Sequence, residues 1–144
     1  MSKKFKGGVE EAAKMIQLLP AAQGRKLIEE IRLKNPKMAE VLEAKLITMD
    51  DLQYLTETML ISFLRDVDLG ELGLALRGVS PAVVQSILGR VSRGIELDIK
   101  ETLEGGPKSL SKVEEAQANI LKVVRLKVEL GHIVIDKDSS ETYV

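Results

Sequence analysis

The most chemically distinctive feature of this sequence is a group of charged residues that recur at helical spacing between residues 93 and 104. They occupy positions i, i+3, i+7, i+8 and i+11, which places them on one face of an α-helix. This charged ridge consists of Arg93, Glu96, Lys100, Glu101 and Glu104. One interpretation is a solvated helix face joined by pairs such as Glu96–Lys100 and Lys100–Glu104. The other is a contact surface that orients a partner which binds and dissociates repeatedly.

Other reactive groups are scarce, and this argues against an enzyme. The chain has no cysteine, which excludes disulfides, thiolate nucleophiles and cysteine-ligated zinc. Its single histidine, His132, follows Gly131 at a predicted helix end, where the helix dipole favours the charged imidazole and a structural role is expected. No Walker loop, GxGxxG, HExxH or DxDxDG motif occurs. The sequence therefore predicts no catalytic residue, no metal and no cofactor.

The composition indicates a packed protein with an aliphatic core. Of the 144 residues, 44% are hydrophobic and 30% are charged, but only 3% are aromatic, so Leu, Ile, Val, Met and Ala must build the core. The net charge of −1 argues against a nucleic-acid binder. No apolar run approaches the roughly 18 residues of a membrane span, and no apolar segment follows the N-terminal lysines. A cytoplasmic protein is expected.

Helix start and stop signals predict an all-α fold, because sustained period-two alternation is absent. Residues 1–7 are basic without periodicity and are expected to be disordered. Residues 8–45 are expected to form three helices. The first ends at Pro20, and the third begins at Pro36 after the capping residue Asn35.

A short apolar connector interrupts this helical pattern. It consists of Leu46, Ile47, Thr48 and Met49, and Thr48 with Asp51 resembles a capping box for the helix that follows. Two interpretations stay open. The connector is either a hinge between two lobes or a buried loop.

Residues 50–135 are expected to form a second lobe of about six helices, followed by a flexible tail over residues 136–144. The apolar residues Ile95, Ile99 and Leu103 form the buried stripe of the helix that carries the charged ridge. Four further signals predict where helices begin: Asp68 with Glu71, Ser80 before Pro81, Ser92, and Ser111 with Glu114. The last pair begins the longest helix, and Gly131 is expected to end it.

Four segments carry a family resemblance. Residues 64–80, LRDVDLGELGLALRGVS, resemble the "LREVDSxDLALALKGAS" segment of the flagellar motor switch protein family FliG. Residues 106–135 resemble the "GPVRLxDVExAQxxIVxxxRRLxxxGEIVI" segment of that family, and residues 8–19 are similar to its "GVxxxAxILNxM" helix. The terminal residues 141–144, ETYV, also resemble the end of some members. The resemblance covers nearly the whole chain.

The resemblance implies a rotor protein of the bacterial flagellum that uses neither nucleotide nor metal. The chain would correspond to the final portion of the family, a short armadillo-like three-helix unit followed by a helical torque lobe. Charged residues of that lobe would face the cytoplasmic loop of the stator protein MotA, while FliM and neighbouring FliG subunits would be further partners. The expected location is the cytoplasmic face of the inner membrane at the flagellar basal body, peripheral to the membrane and not inserted into it.

Carried over position by position, the resemblance assigns stator contact to five charged residues: Arg77, Arg93, Lys100, Glu101 and Lys108. Three positions depart from the family pattern. Thr102 replaces the second acid of members that have two, and Gly94 and Ser109 stand where the family has arginine. The resemblance also implies that the connector would let the charged lobe reorient when rotation switches sense.

An alternative function is a FliG-like paralogue that acts as a scaffold without generating torque. It would bind a neighbouring switch protein through apolar positions of the three-helix unit such as Val9, Ile16 and Leu27, if these lack a partner within the unit. The sequence also leaves open whether the chain is a natural short protein or the excised end of a longer one.

Overall fold

The structure is a computed structural model that describes residues 2–136, with side chains described for residues 8–20 and 22–136. The chain divides into two compact units, Met1–Ile47 and Thr48–Val144. The predicted all-α fold is confirmed, since helices and turns without any strand make up the described part of the chain. The predicted tail falls, beyond Asp136, outside the described residues. None of the helices described is long and apolar enough to cross a membrane.

The first unit consists of the three predicted helices, α1 (Ser2–Leu18), α2 (Ala21–Lys34) and α3 (Pro36–Lys45). The side chain of Asn35 accepts a hydrogen bond of 3.1 Å from the backbone N–H of Met38, so it caps α3 as expected. Helix α1 begins earlier than expected, because residues 2–7 are helical where disorder was predicted. The stretch is rich in lysine, a good helix former, and it contains no proline to stop the helix.

The core of the first unit is small and aliphatic. Ala13 and Ile16 of α1 are buried together with residues of the other two helices, Ile28, Ala39 and Leu42. Partly buried Val9 and Leu27 pack against this cluster. The scaffold alternative expected Val9, Ile16 and Leu27 to form a binding face. That expectation is wrong, because all three residues pack in or against the core of the unit.

The second unit begins with a 3₁₀ helix, Met49–Tyr54, and continues with α4 (Glu57–Leu64) and α5 (Leu69–Ala75). A 3₁₀ turn at Leu76–Gly78 leads into α6 (Pro81–Leu88), α7 (Arg93–Leu103) and α8 (Leu110–Glu129). Its core is built from fully buried aliphatic residues around one aromatic ring: Leu52, Leu60, Phe63, Leu72, Leu76, Ile87, Ile99 and Ile120.

Local capping explains where these helices begin. The side chain of Asp68 accepts from the N–H of Gly70 (3.1 Å), and that of Ser92 accepts from the N–H of Ile95 (3.4 Å). The expected capping-box role of Glu71 is wrong, because its carboxylate accepts a 2.7 Å hydrogen bond from the Asn119 side chain instead. Glu71 therefore binds a side chain 48 residues away and not the start of its own helix.

Helix α8 begins two residues before the predicted start. Ser109 is the cap, not Ser111, since the hydroxyl of Ser109 accepts from the N–H of Lys112 (3.3 Å) and Ser109 has an extended backbone. Ser111 lies inside the first turn. At the other end Gly131 adopts a positive φ of 78°, and the His132 N–H donates to the carbonyl of Lys127 (2.9 Å), the pattern of a Schellman cap.

The close crossing of α5 and α7 depends on Gly73. A Cβ atom at this position would lie 2.1 Å from the carbonyl oxygen of Ile99 and 2.2 Å from the hydroxyl of Thr102. Such distances leave no room for a methyl group, so only glycine permits the two helices to approach this closely. Helix α5 therefore fixes the backbone of the helix that carries the charged ridge.

Candidate interaction surface

Helix α7 presents the charged ridge on its exposed side, as the spacing predicts. Ile99 is fully buried, whereas Arg93, Glu101 and Glu104 are exposed. The ammonium group of Lys100 lies 3.3 Å from the carboxylate of Glu96, which confirms the predicted i, i+4 pair. The ridge thus combines one internal ion pair with three charges directed to solvent.

An exposed leucine interrupts this charged face. Leu97 lies one turn from both Arg93 and Glu101, and it is 54% exposed. Leu97 was not identified from the sequence, because the spacing of charged residues gives no information about an apolar residue between them. The exposed face of α7 thus includes one apolar side chain among its charges.

Arg77 does not lie on α7, but its side chain reaches the C-terminal turn of that helix. Its Nε and Nη2 atoms both donate to the carbonyl oxygen of Thr102, at 2.9 and 2.6 Å. The residue is half-buried. The structure therefore brings Arg77 to the end of the helix that carries Lys100 and Glu101, as a backbone-binding side chain.

Thr102 faces the interior of the second unit. Its hydroxyl donates a 2.5 Å hydrogen bond to the carbonyl oxygen of Gly70, at the start of α5. The position at which the family resemblance expects a second acid thus serves, in this chain, to hold α7 against α5. Its half-burial agrees with that structural role.

The remaining predicted contact residues lie on both sides of this turn. Lys108 is exposed in the segment between α7 and α8, shortly after the end of the ridge. Arg93 lies at the opposite end of α7, and eight residues of helix separate it from Glu101 by about 12 Å along the axis. The structure places Lys100, Glu101 and the Arg77 guanidinium at one end of α7 and Arg93 at the other.

The predicted connector divides between the two units. Leu46 packs against the core of the first unit, whereas Met49 is buried in the second. The Gln17 side chain holds Ile47 by two hydrogen bonds, from Nε2 to the Ile47 carbonyl (2.8 Å) and from the Ile47 N–H to Oε1 (2.9 Å). The Thr48 N–H donates to the carboxylate of Asp51 (2.9 Å), as one half of the expected capping box requires. The boundary between the units falls between Ile47 and Thr48.

Arg90, which sequence reasoning missed, binds backbone carbonyls at the end of α6 and in the 3₁₀ helix. The Arg90 guanidinium donates to the carbonyl of Ser86 (3.0 Å), to that of Leu55 and, at 3.5 Å each, to those of Leu52 and Gln53. Arg90 thereby ties the end of α6 to the 3₁₀ helix. No local signal reveals such a clamp, because three of its four acceptors lie more than thirty residues away.

A buried cation stabilises α8 against α4. Lys127 is only 6% exposed, and its ammonium contacts the carboxylate of Asp66 and the hydroxyl of Ser62 (3.4 Å). The hydrogen bond from Lys127 and then its positive charge hold the pKa of the Asp66 carboxyl below its usual value. No group of three or more His, Cys, Asp or Glu able to hold a metal ion is present in residues 2–136.

Three large apolar side chains in the described part of the first unit are more than half exposed. Met15 and Leu18 of α1 are 67% and 73% exposed, and Leu33 of α2 is 87% exposed. Since α1 also buries Ala13 and Ile16, it is apolar on two faces, which is typical of a helix that is covered on both.

Comparison with known proteins gives one consistent family. Residues 29–135 match the FliG C-terminal domain family. The chain is 30% identical over 139 residues to the flagellar motor switch protein FliG of Thermotoga maritima, which covers 96% of the chain and 42% of that protein. It is 29% identical over 136 residues to FliG of Borreliella burgdorferi, covering 94% and 40%. The chain therefore spans less than half the length of these curated relatives.

Solved structures agree at the level of the fold. A crystal structure of FliG residues 86–343 from H. pylori matches with a TM-score of 0.67 at 22% identity, covering 87% of this chain and 59% of that one. The structure of full-length FliG from Aquifex aeolicus matches with a TM-score of 0.55 at 25% identity, covering 86% and 39%.

Proposed function

Because this chain belongs to the FliG C-terminal domain family, we propose that it works in the rotor of the flagellar motor, where it takes part in torque generation and rotation switching. The single observation that carries the proposal is the exposed charged ridge of α7, with Arg93 at one end and Glu101 and Glu104 at the other. Separated charges of opposite sign orient a partner and speed its association while adding little affinity. A motor contact that forms and breaks repeatedly needs these properties.

The proposed partner of the ridge is the cytoplasmic loop of the stator protein MotA. Arg93, Lys100, Glu101 and Lys108 would supply the charges, with Arg77 beside them at the end of α7. FliM and neighbouring FliG subunits would hold the protein in the switch. Its place would be the cytoplasmic face of the inner membrane, at the flagellar basal body and peripheral to the bilayer.

Charge reversal tests the role of the ridge. We expect Glu101→Lys combined with Arg93→Glu to reduce swimming severalfold in the native cell, because both ends of the ridge would then repel the partner. Glu115→Lys is the control, since Glu115 is also exposed but lies on α8. Normal swimming of the double variant at normal protein levels would refute the proposed contact.

Localisation tests the proposed place independently. A fluorescent fusion is expected to form spots at the cell envelope that vanish when the basal body is deleted. A diffuse signal that this deletion leaves unchanged would mean that a FliG-like fold is used elsewhere in the cell.

A second candidate function is that of a scaffold without torque, and the exposed Met15, Leu18 and Leu33 favour it. These side chains would be buried when the protein binds a neighbouring FliG or FliM. Under this alternative Leu18→Lys with Leu33→Lys would abolish binding to purified switch proteins, whereas charge reversal on the ridge would leave swimming normal. The two sets of variants therefore separate the candidates.

A further inference from the structure

Arg77 binds the end of α7 through a backbone acceptor that the helix itself cannot satisfy. Helix α7 ends at Leu103, so the carbonyl of Thr102 belongs to the last turn, where carbonyl groups have no intrahelical donor. Two N–H groups of the Arg77 guanidinium supply the missing donors, at 2.9 and 2.6 Å. A cation at this end also complements the negative end of the helix dipole.

The same turn is held from a second direction. The Thr102 hydroxyl donates to the Gly70 carbonyl of α5 (2.5 Å), and Gly73 lets α5 approach α7 at this point. Thr102 is thus held by its carbonyl on the side of the 3₁₀ turn and by its hydroxyl on the side of α5. A residue fixed in this way determines the direction of its neighbours on the helix.

Those neighbours are the charges that face solvent. Glu101 immediately precedes Thr102 and is exposed, and Lys100 lies one residue further back. A rotation of the last turn would move both side chains relative to Arg93, which lies about 12 Å away along the same helix. The alignment of the ridge therefore depends on the hold on Thr102.

We infer that Arg77 is a positioning residue, which acts on the partner through α7 by fixing its C-terminal turn at the Thr102 carbonyl. The inference rests on the proposed function and deepens it. Of the five charged residues assigned to stator contact, four would contact the partner, and Arg77 would orient them through its fork-shaped guanidinium. A lysine keeps the charge at position 77 but lacks the two N–H groups arranged for one acceptor.

Nuclear magnetic resonance of the 144-residue protein tests this assignment without any partner. We expect a through-hydrogen-bond scalar coupling between the Arg77 Nε and the Thr102 carbonyl carbon. We also expect Arg77→Lys to change the residual dipolar couplings of the amides in residues 100–104, while Arg93→Lys leaves them unchanged. Absence of the scalar coupling, or couplings in Arg77→Lys equal to those of the parent, would overturn the inference.

Swimming assays in the native cell supply the functional arm. Thr102→Val removes the hydroxyl that holds α7 while every charge stays in place, and we expect it to slow swimming severalfold. Arg77→Glu is expected to stay impaired when the opposing acidic residue of the stator loop is made basic. Glu101→Lys, by contrast, is expected to recover when the opposing basic residue of the stator loop is made acidic. Restoration of Arg77→Glu by the stator change would overturn the inference. Failure of the proposed function looks different, because Glu101→Lys would then swim normally.

Discussion

Replacing Gly73 by alanine provides a direct measure of how closely α5 and α7 must approach. The new Cβ would lie 2.1 Å from the Ile99 carbonyl oxygen and 2.2 Å from the Thr102 hydroxyl, well inside the 3.0 Å that real Cβ contacts respect. Both obstacles lie on α7, one of them in its backbone. The helices must therefore move apart, and the side chain of Thr102 must leave its position.

The magnitude follows from three contributions. Overpacking costs about 1–3 kcal/mol, and loss of the hydrogen bond from Thr102 to the Gly70 carbonyl costs about 1 kcal/mol. The gain in helix propensity from glycine to alanine offsets about 1 kcal/mol. The net expectation is a loss of about 2 kcal/mol in the free energy of unfolding, or about 10 °C in melting temperature for a unit of this size.

Gly94→Ala is the matched control for the thermal melt. Gly94 lies in the first turn of α7, and a Cβ there would meet nothing within 4 Å. We expect this variant to melt at or slightly above the temperature of the parent, since alanine favours the helix. If Gly73→Ala melts as high as Gly94→Ala under circular dichroism or calorimetry, the close crossing of α5 and α7 is refuted.

Three further predictions concern single contacts. Gln17→Ala removes both hydrogen bonds to the Ile47 backbone. We therefore expect hydrogen exchange of the Ile47 amide to accelerate by about tenfold or more, equivalent to about 1–3 kcal/mol. Unchanged exchange would contradict the two hydrogen bonds from Gln17. The pKa of Asp66 is lowered because its carboxylate pairs with the buried ammonium of Lys127. This pairing stabilises the fold above the usual carboxyl pKa, and the stabilisation is lost as the pH falls through the lowered pKa, below about pH 4. The difference in unfolding free energy between the parent and Asp66→Asn should accordingly shrink in acid, and a difference that stays constant with pH would disprove the linkage. Ser109→Ala should lower the free energy of unfolding by about 1 kcal/mol and Ser111→Ala by clearly less, because only Ser109 caps α8. Equal losses in denaturant titrations would contradict the assignment of the cap to Ser109.

Local signals were sufficient to predict the helices and their order. Asn35 before α3 and Ser92 before α7 accept hydrogen bonds from backbone N–H groups of the next turn, so a short window of sequence contains the whole interaction. The charged ridge was predictable for the same reason. Its face depends only on the period of the helix, and the Glu96–Lys100 pair spans a single turn. The family resemblance of residues 106–135 likewise needed no coordinates.

Contacts between distant residues were beyond the reach of the sequence alone. Gln17 binds Ile47 thirty residues away, and Arg77 binds the Thr102 carbonyl twenty-five residues away. Both acceptors are backbone atoms, which every residue carries, so no residue type signals the pairing. The sequence by itself thus determined which charges share the exposed face of α7, because helical period decides that. Only the tertiary structure decided that Arg77 would hold this helix in place, because the choice depends on which free carbonyl the fold brings within its reach.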